Sequence, residues 1–520
     1  MGLYSRERTR RALFYTIAFR AVSQLSTMLS FVVLVRGLSE QGLGVYSLLY
    51  SIIPVMGTVI SLGLDQVLKR FQPEYLQTGN TAAAYWLVKI VTRWRFLSNV
   101  VLLGALLLCW NLVAPLFHLT DQRSNFELFT LVVILYSQTI ILQSSLASHM
   151  LQGYSVGSVA VLSIAKLVSY LLVWQFFVFT LRAAIIADIG SYACGWIFLS
   201  AAHWRFCRPK PGEGDYHPQP SELKRLRRYA IANNFNESSS LLLHVQTDNF
   251  FIAALMNPVA VGAYAFYVRL NEMGSNLIPT RLFDNILQPL FFSIKPEEAA
   301  ERLPRYVTFM INISLMVQWP LFAYTLVYHR DIIATVFHGK FADQSILLPM
   351  IVGFALTNNV ISTPITMTAL YAERASLILR SQLFGLYQIV AMLTLIPLLG
   401  LYGAAIATGT LHLFRNLWVW WHVRGTARWL NLRAALTRGA TIWIGAIAVC
   451  MLIKLVFKAP PVVNLVAGAV VCAAALLVYI RSAAISRSDR EILGGVLHGR
   501  ESAMLRWLGL APVAAAARGS

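Results

Sequence analysis

Long apolar runs, each about the length of a membrane-crossing helix, recur along almost the whole chain and set the terms for everything else. A spanning helix takes about 20 mostly apolar residues. Fourteen such runs stand near 12–35, 45–68, 96–116, 127–149, 157–180, 184–204, 229–256, 262–291, 306–328, 345–371, 376–396, 401–422, 435–456 and 462–480. Only 13% of the 520 residues are charged, against roughly 25% in an ordinary soluble domain. The expected fold is an all-α polytopic membrane protein with about 14 transmembrane helices, which excludes a soluble enzyme with a small anchor. The first run is too long for a signal peptide and is followed by no small-residue cleavage site.

The formal charge of +20, from 43 Lys+Arg against 23 Asp+Glu, lies between the apolar runs rather than on one basic face. This pattern favours membrane topology over nucleic-acid binding. With the amino terminus placed in the cytoplasm, the inside segments hold about 31 Lys+Arg and the outside turns about 7. The inside segments include Arg6, Arg8, Arg10, Arg11, then Lys224, Arg225, Arg227, Arg228, and the stretch from Arg424 to Arg438. Both termini are therefore expected in the cytoplasm. The longest outside turn, His329 to Gln344, runs to about 16 residues, too short for a catalytic domain. Five scattered cysteines with no CxxC pair read as small core residues, so no metal site is expected.

The chain also repeats. Leu38-Ser-Glu-Gln-Gly-Leu-Gly44-Val-Tyr46 after the first run is echoed by Leu255-Met-Asn-Pro-Val-Ala-Val-Gly262-Ala-Tyr264 after the seventh, with the two glycines 218 positions apart. Ala183-Ala-Ile-Ile-Ala187 and Gly403-Ala-Ala-Ile-Ala407 follow at an offset of 220. Six is an even number of crossings, so the copies are parallel rather than inverted. The division predicted is a six-helix bundle over 1–208, a cytoplasmic linker over 209–228, a second six-helix bundle over 229–425, two additional helices over 426–482, and a tail over 483–520 placed on the cytoplasmic side.

Several of these strings resemble polysaccharide-unit flippases of the multidrug, oligosaccharidyl-lipid and polysaccharide exporter superfamily. They are Val35 to Tyr46, Ser61-Leu-Gly-Leu64 leading to Lys69-Arg70-Phe71, Asp248 to Leu255 with Val261 to Tyr264, and Gly400 to Ala407. Asp65 departs from the pattern by interrupting the second span. The resemblance implies two bundles around a cleft, alternating access, and outward movement of an isoprenoid-pyrophosphate-linked oligosaccharide, with a polysaccharide polymerase and glycosyltransferases as associated enzymes.

Ionisable groups on spanning helices are costly and so become functional candidates. Thr16, Arg20, Ser23, Gln24 and Thr27 recur at helical spacing on the first span, while Asn233, Asn236, Glu237, Ser240, His244, Thr247 and Asp248 do so on the seventh. Arg20, with Lys166 and Arg269 or Arg281, is expected to hold the pyrophosphate, Gln24 and Asn233 to meet sugar hydroxyls, and His244 to belong to the same pyrophosphate and sugar site. Asp248 and Glu272 are the candidates for coupling to an H⁺ or Na⁺ gradient. Arg269 with Glu272 and Arg281 with Asp284, each three apart, also read as plain intrahelical pairs. Asp188, near an expected outer helix end, reads as a solvated or helix-terminal group at least as readily as a coupling one. No cofactor and no ATP are expected, since GxxxxGK[ST] does not occur. A peptidoglycan-precursor flippase, a multidrug or organic-cation antiporter and a membrane-embedded polymerase or glycosyltransferase are the rival readings. The last lacks HExxH, DxD and a large outer loop.

Overall fold

The computed structural model describes residues 6–209, 216–240, 244–276, 278, 291, 296–424, 432–457 and 459–481. These are helical almost throughout, with no strand among the described residues. The principal helices are α1 (Arg6–Gly37), α2 (Glu40–Ser61), α3 (Leu64–Gln77), α4 (Thr81–Leu108), α5 (Arg123–Ser148), α6 (Gln152–Phe176), α7 (Leu181–Cys207), α8 (Pro220–Ser240) and α9 (Val245–Leu255). They continue as α10 (Pro258–Ser275), α11 (Pro296–Phe337), α12 (Leu347–Tyr371), α13 (Ala375–Ser381), α14 (Phe384–Leu399), α15 (Leu401–Val423), α16 (Leu432–Phe457) and α17 (Pro461–Arg481).

Eleven helices among the described residues are long and apolar enough to cross a membrane. All fourteen apolar runs carry helix. The three beyond the eleven are the more polar or divided ones: 229–256, shared between α8 and α9; 262–291, whose first part lies in α10; and α15, which carries His412, Arg415 and Asn416.

Local chemistry sets the boundaries. Ser39 caps α2 by accepting the Gly42 amide at 3.0 Å. The chain then turns at Leu62 (φ 47°) and Gly63 (φ 72°), both left-handed, so α2 stops before Asp65. Asp65 therefore does not interrupt a span as expected: it sits in the first turn of α3, where the helix dipole favours an acid. The Asn80 side chain caps α4 through the Ala83 amide at 2.9 Å, starting that helix about fifteen residues before the expected 96. Likewise α11 runs on to Phe337, carried by Ile332, Ile333 and Val336, so the expected outer turn from His329 is largely helix.

The chain divides into two compact units, Met1–Ala265 and Phe266–Ser520. Within the first unit α8 and α9 pack on α2, and α8 also on α3. Leu226 and Ala230 join Val67, Leu68, Phe71, Leu87, Val88 and Val91 in one buried cluster. The helix partnerships repeat: α5 and α6 both pack on α7 in the first unit, as α12 and α14 both pack on α15 in the second. Also in the second unit, α16 and α17 pack on α11 around Tyr328, Trp443, Cys450, Cys472 and Tyr479.

Candidate functional site

The first unit concentrates its charge chemistry where α2, α6 and α7 meet. Tyr46 and Tyr50 are four apart on α2, and Lys166 and Tyr170 four apart on α6, so each pair shares a helix face. Asp188 lies about two turns into α7, which begins at Leu181 because Thr180 accepts the Ala183 amide at 3.2 Å. It is 0% exposed rather than solvated as expected, because α2 and α6 cover the early turns of α7.

Tyr46 and Tyr50 donate to Asp188 Oδ2 at 2.8 and 2.6 Å. Tyr170 donates to Oδ1 at 2.8 Å, and Lys166 Nζ reaches the same oxygen at 2.8 Å. An ionised carboxylate offers about four lone-pair sites, and four donors meet them here. Nζ also donates to Tyr46 Oη at 2.9 Å and Tyr50 Oη at 3.2 Å. It lies 5.7, 4.9 and 5.2 Å from the ring centroids of Tyr46, Tyr50 and Tyr170. The result is an ammonium in an aromatic cage floored by a carboxylate. Such a pair tolerates burial because each partner neutralises the other and the remaining lone pairs are hydrogen-bonded.

Arg20 is exposed on α1, and Gln24, one turn on, is partly buried. Asn233 is turned back on its own helix, donating to the Tyr229 carbonyl at 2.9 Å. His244 is exposed immediately before α9. Asp248 is buried and accepts from Tyr264 at 2.9 Å, beside Asn249, which donates to Ser51 Oγ at 2.7 Å. Tyr46 and Tyr264, the tyrosines of the two repeat motifs, thus each donate to a buried carboxylate. Arg269 and Glu272 form the expected i,i+3 pair at 2.9 Å. Arg281 and Asp284 lie outside the described residues, as does the tail after Arg481.

Sequence reasoning missed three groups. The tyrosines around Asp188 left a signal in their i,i+4 spacing. Arg95, buried in mid-α4 at 3.5 Å from Asp65, falls just outside the third apolar run expected at 96–116. Lys454 pairs with Asp331 between α16 and α11 and donates to the Val327 carbonyl at 3.0 Å. Asp331 falls within the expected outside turn from His329 to Gln344.

The helix arrangement gives the chain a fold shared with solved flippase and multidrug-transporter structures. Its fold is similar to that of a structure described as the lipid II flippase MurJ in an inward closed conformation, with TM-score 0.67, 11% identity, and coverage of 90% of this chain and 99% of that one. A multidrug resistance MATE family transporter of the MOP superfamily matches in its inward-facing conformation with TM-score 0.58 and 15% identity, over 79% of this chain and 98% of that one. An outward-facing MATE structure matches with TM-score 0.52 and 12% identity, over 81% and 95%. No curated protein matches by sequence. Residues 10–288 match the polysaccharide biosynthesis protein family, and the chain belongs to it.

Proposed function

We propose that this protein flips an isoprenoid-pyrophosphate-linked oligosaccharide from the cytoplasmic to the outer face of the inner membrane, by alternating access, for polysaccharide assembly. The observation that carries this reading is the family match over residues 10–288. A fold shared with a lipid II flippase and with transporters seen both inward- and outward-facing supports it. The protein acts as a transporter and not as an enzyme. The excess of Lys and Arg in alternate connections supports cytoplasmic termini.

Arg20 is the cation best placed for the pyrophosphate, being exposed on α1 with Gln24 beside it for sugar hydroxyls. Asn233 and His244 serve the sugars, and Arg269 and Arg281 assist with phosphate. Lys166 is committed to Asp188 in this state, so it would take part only by exchanging that carboxylate for the cargo's phosphate. Asp248, held by Tyr264, is the proposed seat of H⁺ or Na⁺ coupling; Glu272 contributes through its pairing with Arg269. Glycosyltransferases supply the cargo and a polymerase consumes it.

The test is export of the lipid-linked sugar in cells that carry Arg20→Ala at wild-type protein level. Loss of export, with the cargo accumulating on the cytoplasmic side by mass spectrometry of the lipid extract, is the expected result. Normal export removes Arg20 from the mechanism. Full export in cells lacking the protein altogether removes the function.

A further inference from the structure

We propose that the Lys166 ammonium is the tethered occupant of a monovalent-cation site built by Asp188, Tyr46 and Tyr50, and that this site accepts a free cation once the tether is removed.

Three features define the site independently of the lysine. First, the oxygens facing Nζ, namely Asp188 Oδ1 at 2.8 Å, Tyr46 Oη at 2.9 Å and Tyr50 Oη at 3.2 Å, are those a small cation would take as ligands. Each phenol spends its proton on Asp188 and turns a lone pair toward Nζ, so exchanging the ammonium for another cation needs no proton to move. Second, the walls are held by packing elsewhere. Tyr50 meets Phe129 edge-on at 5.3 Å, Tyr170 meets Phe179 at 5.6 Å, and Tyr170 fixes the carboxylate through its own hydrogen bond. Removing the lysine stem therefore leaves the cage standing. Third, Asp188 is 0% exposed while the Lys166 side chain is 19% exposed, so the site is closed at the carboxylate and open along the path of the stem.

An emptied cage would hold an uncompensated buried carboxylate among phenol oxygens and ring faces, an arrangement that draws in a cation. The oxygens stand at ammonium distances. Methylammonium, which reproduces the lysine head, and potassium therefore fit without contraction, whereas sodium requires the cage to shrink. In this state the native site is filled by the Lys166 ammonium.

The test uses purified full-length protein and needs no cargo, so its outcome is independent of the transport reading. Wild type, Lys166→Ala, Lys166→Met and Lys166→Ala with Asp188→Asn are melted at equal ionic strength in choline, sodium, potassium or methylammonium chloride. The two single variants should melt below wild type in choline and recover saturably by several degrees in methylammonium and potassium, less so in sodium. Wild type and the double variant should show no such preference. Monodisperse single variants that respond to none of the cations, or a wild type that responds as they do, would overturn the proposal. Should the single variants be recoverable from membranes only when potassium or methylammonium is present, the site stands. Recovery in none of the salts overturns it, and where the variants are recovered in all of them the melting shifts decide.

Discussion

Asp188 is the residue on which the first unit's charge balance turns. It is buried without exposure and answered by one ammonium and three phenols. Deleting one partner of a buried ion pair costs about 3–5 kcal/mol, because the survivor is left charged and dry. Lys166→Met should therefore destabilise the protein by about that amount in choline salts, whereas adding Asp188→Asn restores part of the loss by removing the stranded charge. A double-mutant cycle on melting curves measures the coupling, and strictly additive effects would deny that the two groups act as a pair. Lys166 itself was legible in the sequence as a deep cation. Its partner was not, because an apolar run says which residues lie in the membrane but not which helix covers which face.

At the scale of the element, two glycines decide how closely helices meet within the first unit. A Cβ on Gly44 would lie 1.8 Å from the Pro258 carbonyl oxygen, and one on Gly262 would lie 2.8 Å from the Gly44 nitrogen. The two copies of the repeated motif thus rest backbone on backbone, a contact only small residues allow. Gly44→Val should push α2 off the start of α10, while Gly190→Ala, where a Cβ meets nothing within 4 Å, should change little. Ser51→Cys reports on this, since Ser51 is buried against Asn249. In a background without the native cysteines, its labelling by a water-soluble maleimide should rise with Gly44→Val and stay at base level with Gly190→Ala. Equal labelling in both would show that the approach does not depend on Gly44. The motif's recurrence was readable from spacing alone. That one copy is the other's contact was not, because similarity between two strings carries no information about distance between them.

Across the whole molecule, the segment read as a linker is tied at its end to the first unit. Glu222 accepts from Tyr216 at 2.5 Å and from Tyr75, and Arg225 holds Glu74 through two bonds of 2.9 and 3.2 Å. Burial, followed by the bond to Glu222, pushes the Tyr216 hydroxyl up to about 12; the same causes raise Tyr75. A phenol whose value is raised on docking favours the docked state fully below the ordinary value of about 10. That contribution fades as pH climbs from there toward 12. Hydrogen exchange across residues 216–230 should accordingly accelerate over that alkaline window beyond the intrinsic rate, and Tyr216→Phe should flatten the dependence. An unchanged profile in the variant would remove Tyr216 from the clasp.

By itself, the sequence determined the helical membrane class, the run of apolar segments, the recurrence of the glycine motif and the presence of Lys166 and Asp248 as deep ionisable groups. Each of these follows from the length and hydrophobicity a bilayer demands, and those are local properties of the chain. The tertiary structure alone decided the pairings: Lys166 with Asp188 inside three tyrosines, Asp65 with Arg95, Lys454 with Asp331, and one glycine motif against its copy. Such contacts join positions tens to hundreds of residues apart and depend on which faces of which helices meet. The energy of a buried charge is set by that neighbour and not by its place along the chain.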